Sequence, residues 1–141
     1  MTRSFDDTSV DEELPVTRRL VNAADMKVYA DVSGDQNRLH QDDAFARSVG
    51  FDGIIAHGMF TMGHMAACIV EWAGGDPARV LQLWAQFRAP VFMGEEIIAG
   101  GSVRSLDPHA RTATLETWVR VDRQGNQEWP IKRGAAVVRL V

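Results

Sequence analysis

Gly58-Met-Phe-Thr-Met-Gly-His-Met-Ala-Ala-Cys-Ile-Val-Glu-Trp-Ala73 is the stretch on which the fold turns. Met59, Phe60, Met62, Met65, Ala66, Ile69 and Val70 recur at helical spacing and leave almost no polar face, so the segment reads as a helix buried on nearly all sides. It is shorter than the ~20 residues that span a bilayer, and it carries Gly63, His64 and Glu71. It is a core helix, not a membrane anchor. In a chain of 141 residues, something must wrap around it.

The wrapping material follows in sequence. Val80 to Ala89 alternates, with Leu81, Leu83, Ala85 and Phe87 on one face and Gln82, Trp84, Gln86 and Arg88 on the other. Pro90 marks an edge or a bend. Residues 95–106, 111–121 and 127–140 read as three more strands, joined by turn signals at Asp107-Pro-His and Asp122-Arg-Gln-Gly-Asn. Upstream the period is helical. Asn22 caps a helix running through Asp25 to about Val32, which Ser33-Gly34-Asp35 ends. Residues 35–43 are polar and aperiodic, hence a loop, and Asp42 or Asp43 caps a short helix from Ala44 to Val49 closed by Gly50. The period changes near residue 76, which is an α+β layout: a curved antiparallel sheet around one long helix, in a single domain over residues 1–141.

Composition narrows the partners. Hydrophobic residues are 45% and charged residues 24%, a balance for a chain folded throughout. The formal net charge is −4 and the basic residues are scattered, so nucleic acid is not an expected partner. Cys68 is the single cysteine, inside an apolar run, and reads as a small buried hydrophobe. That fits a cytoplasmic protein. The segment from Met1 to Glu13 is too polar and acidic for a secretory leader, and no membrane span is expected.

Tyr29-Ala-Asp-Val-Ser-Gly-Asp-Gln-Asn-Arg-Leu-His, followed by Phe45-Ala and then by Ile55-Ala-His-Gly-Met, resembles the signature of MaoC-like dehydratases, which include the (R)-specific enoyl-CoA hydratases. Glu13-Leu-Pro and Phe87-Arg-Ala-Pro-Val-Phe-Met-Gly-Glu also look like family positions, so the resemblance covers most of the chain. It implies the hotdog fold, which agrees with the periodicity. It further implies a hydro-lyase acting on an acyl-CoA or acyl carrier protein thioester, with the active site near the interface of a homodimer; a heterodimer with a related subunit is the alternative. Arg38 stands where the family usually has Pro, a change that either loosens the loop or supplies a cation for substrate phosphate.

Adding water to an enoyl thioester requires a group that activates water, a proton for the α-carbon, and a donor for the enolate oxygen. By the resemblance, Asp35 is the principal base and His40 helps orient the water and shuttle its proton; taken alone, an isolated loop Asp and His would be a solvated turn carboxylate and a surface or core histidine. Gly58, at the N-terminus of the buried helix, offers its backbone amide as the oxyanion donor, unless it serves only close packing. Asn37 either fixes the loop or contacts substrate, and His57 either caps the helix, bonds across the fold, or touches substrate. His64 is read as a hydrogen-bonded core or interface residue. No His-Glu-x-x-His pattern completes a metal site, so neither metal nor cofactor is expected. The Met59, Met62, Met65 series is core or acyl-tunnel lining. Arg38, Arg47, Arg88 and Arg133 are candidates to meet phosphates, against a plain solvated face. Two rival readings remain: a non-catalytic partner subunit of a hydratase heterodimer, and a hotdog thioesterase, whose expected carboxylate is absent from Gly58 to Val70.

Overall fold

Alternation after residue 80 becomes an antiparallel ladder. A computed structural model describes all 141 residues. Strand β1 (Thr17–Leu20) leads into helix α1 (Ala23–Ser33), a 3-10 turn at Arg38–His40, helix α2 (Asp43–Ser48) and the long helix α3 (Gly58–Trp72). Strands β2 (Val80–Phe87), β3 (Glu96–Asp107), β4 (Thr112–Arg123) and β5 (Asn126–Arg139) complete one five-stranded sheet in the order β1-β3-β4-β5-β2. Every neighbouring pair is antiparallel. The α+β hotdog architecture expected from the sequence is the one observed. No helix is long and apolar enough to cross a membrane.

The inner sheet face presents Ala99 and Val103 of β3, Leu115 and Val119 of β4, and Ile131 and Ala136 of β5 to α3. From α3, Thr61, Met65, Cys68, Ile69 and Trp72 are buried, a stripe at i, i+4, i+7, i+8 and i+11. Met65 and Ile69 have no exposed surface, and burying each contributes about 2 kcal/mol. Gly134 lets the helix lie this close: a Cβ there would fall 2.6 Å from Thr117 Oγ1 and 2.8 Å from Met65 Sδ. His64 fastens the other side of α3, its Nε2–H donating to the Thr17 carbonyl at 3.1 Å. Cys68 is buried with its thiol reduced.

Three expectations are corrected. The long helix is covered on one face only within the chain: Met59 is 57% exposed, and Gly63 and Ala67 are open. In β2, Val80 pairs with Val138 and Gln82 with Val137, so Leu81 is an extra, bulged residue. Leu81 therefore turns outward, while Val80, Leu83 and Ala85 pack on the core and the Phe87 ring lies over Gly58 at the start of α3. Strand β1 lies in sequence that carried no strand signal, because Thr-Arg-Arg-Leu has no apolar alternation and is held by its ladder to β3 alone.

Candidate active site

Gly34 closes α1 in the left-handed conformation (φ 79°), its N–H donating to the Ala30 carbonyl at 2.9 Å, and the chain turns sharply into Asp35. Asp35 Oδ1 accepts the Asn37 N–H at 3.1 Å and Asn37 Oδ1 accepts the Leu39 N–H at 3.0 Å. Two side-chain-to-backbone turns in succession roll the loop into the 3-10 turn that carries His40. Asn37 is thus occupied with the loop. Asp35 Oδ2 is left facing His40, with Nε2 at 3.8 Å.

His40 Nδ1 lies 2.8 Å from the Ile55 carbonyl. A carbonyl only accepts, so Nδ1 carries a proton and Nε2 is the ring nitrogen that faces Asp35. His57 forms the wall behind them. Its side chain does not cap α3; its Nε2–H donates across the fold to the Asp35 carbonyl at 3.1 Å. The ring stacks on His40 with centroids 3.9 Å apart and tilts against Tyr29 at 4.8 Å. His57 is 1% exposed. Burial pushes its pKa below the usual 6.5, and the neighbouring His40 adds to this, while the Asp35 carbonyl opposes it. A neutral His57 leaves Nδ1 as an acceptor, buried and without a donor.

Gly58 opens α3, and the amides of its first turn have no intrahelical acceptor. It lines a cavity of about 340 Å³ together with His40, Phe51, Thr61, Phe87 and Val91. A Cβ on Gly58 would meet the Phe87 ring at an ordinary contact distance of 3.4 Å, which places that ring directly over the first turn of α3. The positive end of the α3 dipole points into the same space. The structure therefore brings Asp35, His40, His57 and Gly58 together and keeps Asn37 on the supporting turn.

Asp35, His40 and His57 offer ligand atoms within 4.8 Å of one another. His40 Nδ1 and His57 Nε2 are engaged by carbonyls, which leaves His40 Nε2, the buried His57 Nδ1 and the Asp35 carboxylate as the uncommitted ligand atoms.

Arg38 does not stand free. Its guanidinium pairs with Asp42 at 2.9 Å and lies 4.3 Å over the Phe45 ring. Arg47 pairs with Asp43 at 2.7 Å. The backbone N–H of Phe45, then Arg38, hold the Asp42 carboxyl below its usual range; Arg47 does the same for Asp43. Sequence reasoning missed the Ile55 carbonyl, which sets the His40 tautomer, and Phe87, which covers Gly58. Both lie inside the quoted motifs, but neither side-chain type suggested a role.

The fold is the hotdog fold, and the curated relatives that the chain matches are hydratases and dehydratases. The chain belongs to the MaoC-like family: the model of the MaoC like domain matches residues 4–124. It is 34% identical over 118 residues to the (R)-specific enoyl-CoA hydratase of Aeromonas caviae, covering 84% of this chain and 85% of that protein. It is 30% identical over 100 residues to a 3-hydroxybutyryl-CoA dehydratase of Methylorubrum extorquens, covering 71% of this chain and 64% of that protein's length. Among solved structures, a MaoC-like dehydratase superposes with TM-score 0.91 at 35% identity over 99% of this chain and 43% of that one. The A. caviae (R)-hydratase involved in PHA biosynthesis superposes with TM-score 0.85 at 28% identity, covering 96% of this chain and 98% of that one.

Proposed function

We propose that this chain adds water reversibly to a trans-2-enoyl thioester to give the (R)-3-hydroxyacyl thioester, with Asp35 and His40 as the catalytic pair. The observation that carries the reading is the 3.8 Å gap between Asp35 Oδ2 and His40 Nε2, beside the open amides at the N-terminus of α3. That separation is beyond a direct hydrogen bond. A substrate water donating one hydrogen to each acceptor closes the triangle, and its oxygen lone pair is left for the β-carbon.

As the water oxygen bonds to the β-carbon, Asp35 takes the proton and negative charge moves to the thioester oxygen. The Gly58 N–H donates to that oxygen, where the α3 dipole also favours negative charge. Asp35 then returns the proton to the α-carbon, so one water is added and both residues end as they began. His40, held in one tautomer by Ile55, keeps the water on one face of the alkene. His57 contributes no proton; it fixes the backbone of Asp35 and the plane of His40.

The reading extends to one domain, a dimeric assembly and a cytoplasmic setting. In support of a dimer, β2 is an edge strand whose outer edge has no partner, and Leu81 and Phe87 of that strand and Met59 of α3 are exposed apolar side chains. Cys68 is a free thiol that needs no oxidising compartment.

Loss of the conjugated-thioester absorbance with trans-2-enoyl-CoA tests the activity. Asp35→Asn keeps the turn hydrogen bond to Asn37 but not the base, and should lower kcat by about 10²–10⁴-fold with the fold intact. Release of free CoA, or full turnover by the variant, would count against the reading.

A further inference from the structure

Nearly every cation in this chain has a carboxylate within 4 Å; the exceptions are Arg88, Lys132, Arg133 and Arg139. Arg139 lies at the far end of β5, and the other three gather at one place. The Arg88 N–H donates to the Pro130 carbonyl at 2.9 Å. Its guanidinium reaches Gln86 Oε1 at 3.5 Å, and Gln86 is the cross-strand partner of Arg133. Arg88 also lines the cavity that holds His40 and Gly58, so it stands on the rim between that cavity and the outer face of the sheet.

On the outer face lies a cleft of about 550 Å³, lined by Trp84, Trp118, Lys132 and Arg133. Glu116 is there too, its charge matched by Arg104 at 3.2 Å. Trp118 lies down over Gly100, where a Cβ would come within 2.5 Å of Cζ2, and Trp129 packs edge-on against it at 5.6 Å. Trp84 is 54% exposed on the other wall. Indole walls with unpaired cations suit a planar base bearing phosphates.

We infer that the 3′-phospho-ADP end of coenzyme A binds in this outer cleft, with Arg88 under the diphosphate where the pantetheine arm crosses the rim. The inference rests on the hydratase reading and deepens it by choosing the carrier. Three free cations match the diphosphate and the 3′-phosphate, and the indoles receive the adenine. A carrier protein would bring a single phosphodiester and no base. From Pro130 to Arg133 the strand advances about 10 Å, the step from the diphosphate at the rim to the nucleoside in the cleft.

The test compares an enoyl-CoA with the same enoyl group on N-acetylcysteamine, which has no phosphate. Lys132→Gln with Arg133→Gln should raise KM for the CoA ester about tenfold with kcat retained, and leave kcat/KM for the short ester where it was. Added salt should raise the CoA KM of the parent enzyme toward that of the variant. Adenosine 3′,5′-bisphosphate should quench the tryptophan fluorescence of the parent protein and not that of the double variant, while Arg133→Lys keeps most of the response. An unchanged CoA KM, or equal losses on both esters, overturns the inference; so does a rise confined to a carrier-protein ester, which would make the rim a protein-docking surface. If the parent enzyme turns over neither ester, the hydratase reading fails, and the bisphosphate titration still decides the cleft.

Discussion

His57 enters α3 with φ −57° and ψ 134°, backbone values that a residue before proline adopts readily. Gly58 is the first helical position, where proline is well tolerated because the missing N–H had no intrahelical partner. Gly58→Pro therefore removes the proposed oxyanion donor while leaving the helix in place. We expect kcat/KM to fall about 10²–10³-fold with a thermal midpoint within a few degrees of the parent. Gly58→Ala keeps the amide, and its Cβ meets the Phe87 ring at an ordinary contact distance of 3.4 Å, so most activity should survive. Comparable losses in both variants would assign Gly58 to packing instead. Asp35 and His40 were legible in the sequence as candidates because their motif is ordered and long. Their convergence was not, because it depends on the Ile55 carbonyl and on the stacked His57, and carbonyl direction and ring stacking leave no trace in residue type.

At the scale of elements, the long apolar helix and the four later strands were readable from period alone, since burial of one face imposes the same spacing along each element. Strand β1 was not, because its four residues are fixed by a ladder to β3 rather than by their own pattern. The bulge at Leu81 also escaped, and it matters more: one extra residue breaks the alternation and turns Leu81 outward, 43% exposed, on an unpaired edge. An eight-residue edge strand with apolar groups outward is a template for a second copy. Light scattering should give twice the chain mass at micromolar concentration, and Leu81→Lys should shift the protein toward monomer. A parent protein that stays monomeric at high concentration would refute the proposed assembly.

Across the whole molecule, two histidines hold the fold together in their neutral form. His57 spans the site between α3 and the Asp35 loop, and His64 spans α3 and β1 through Thr17. Burial is the chief cause that lowers both pKa values below 6.5; the Thr17 carbonyl opposes the shift at His64 and Arg19 adds to it. The unfolded chain thus binds protons near pH 6.5 that the folded chain does not yet bind. Folding stability from these two groups is fully present above pH 6.5 and declines as pH falls toward their folded values, at most about 1.4 kcal/mol per pH unit for each proton. The Asp42, Asp43 and Glu95 carboxyls add nothing in this window. Their shifts are downward from reference values of 3.8 to 4.5, so they remain ionised in both states at pH 5.5 and above. Urea midpoints measured from pH 7.5 to 5.5 should therefore fall with acidity. His64→Gln should start lower, having weakened its tie to β1, and fall less steeply, because one of the two titrating groups is gone. Stability that is flat or rises on acidification over that range would show that neither histidine is held neutral by the fold.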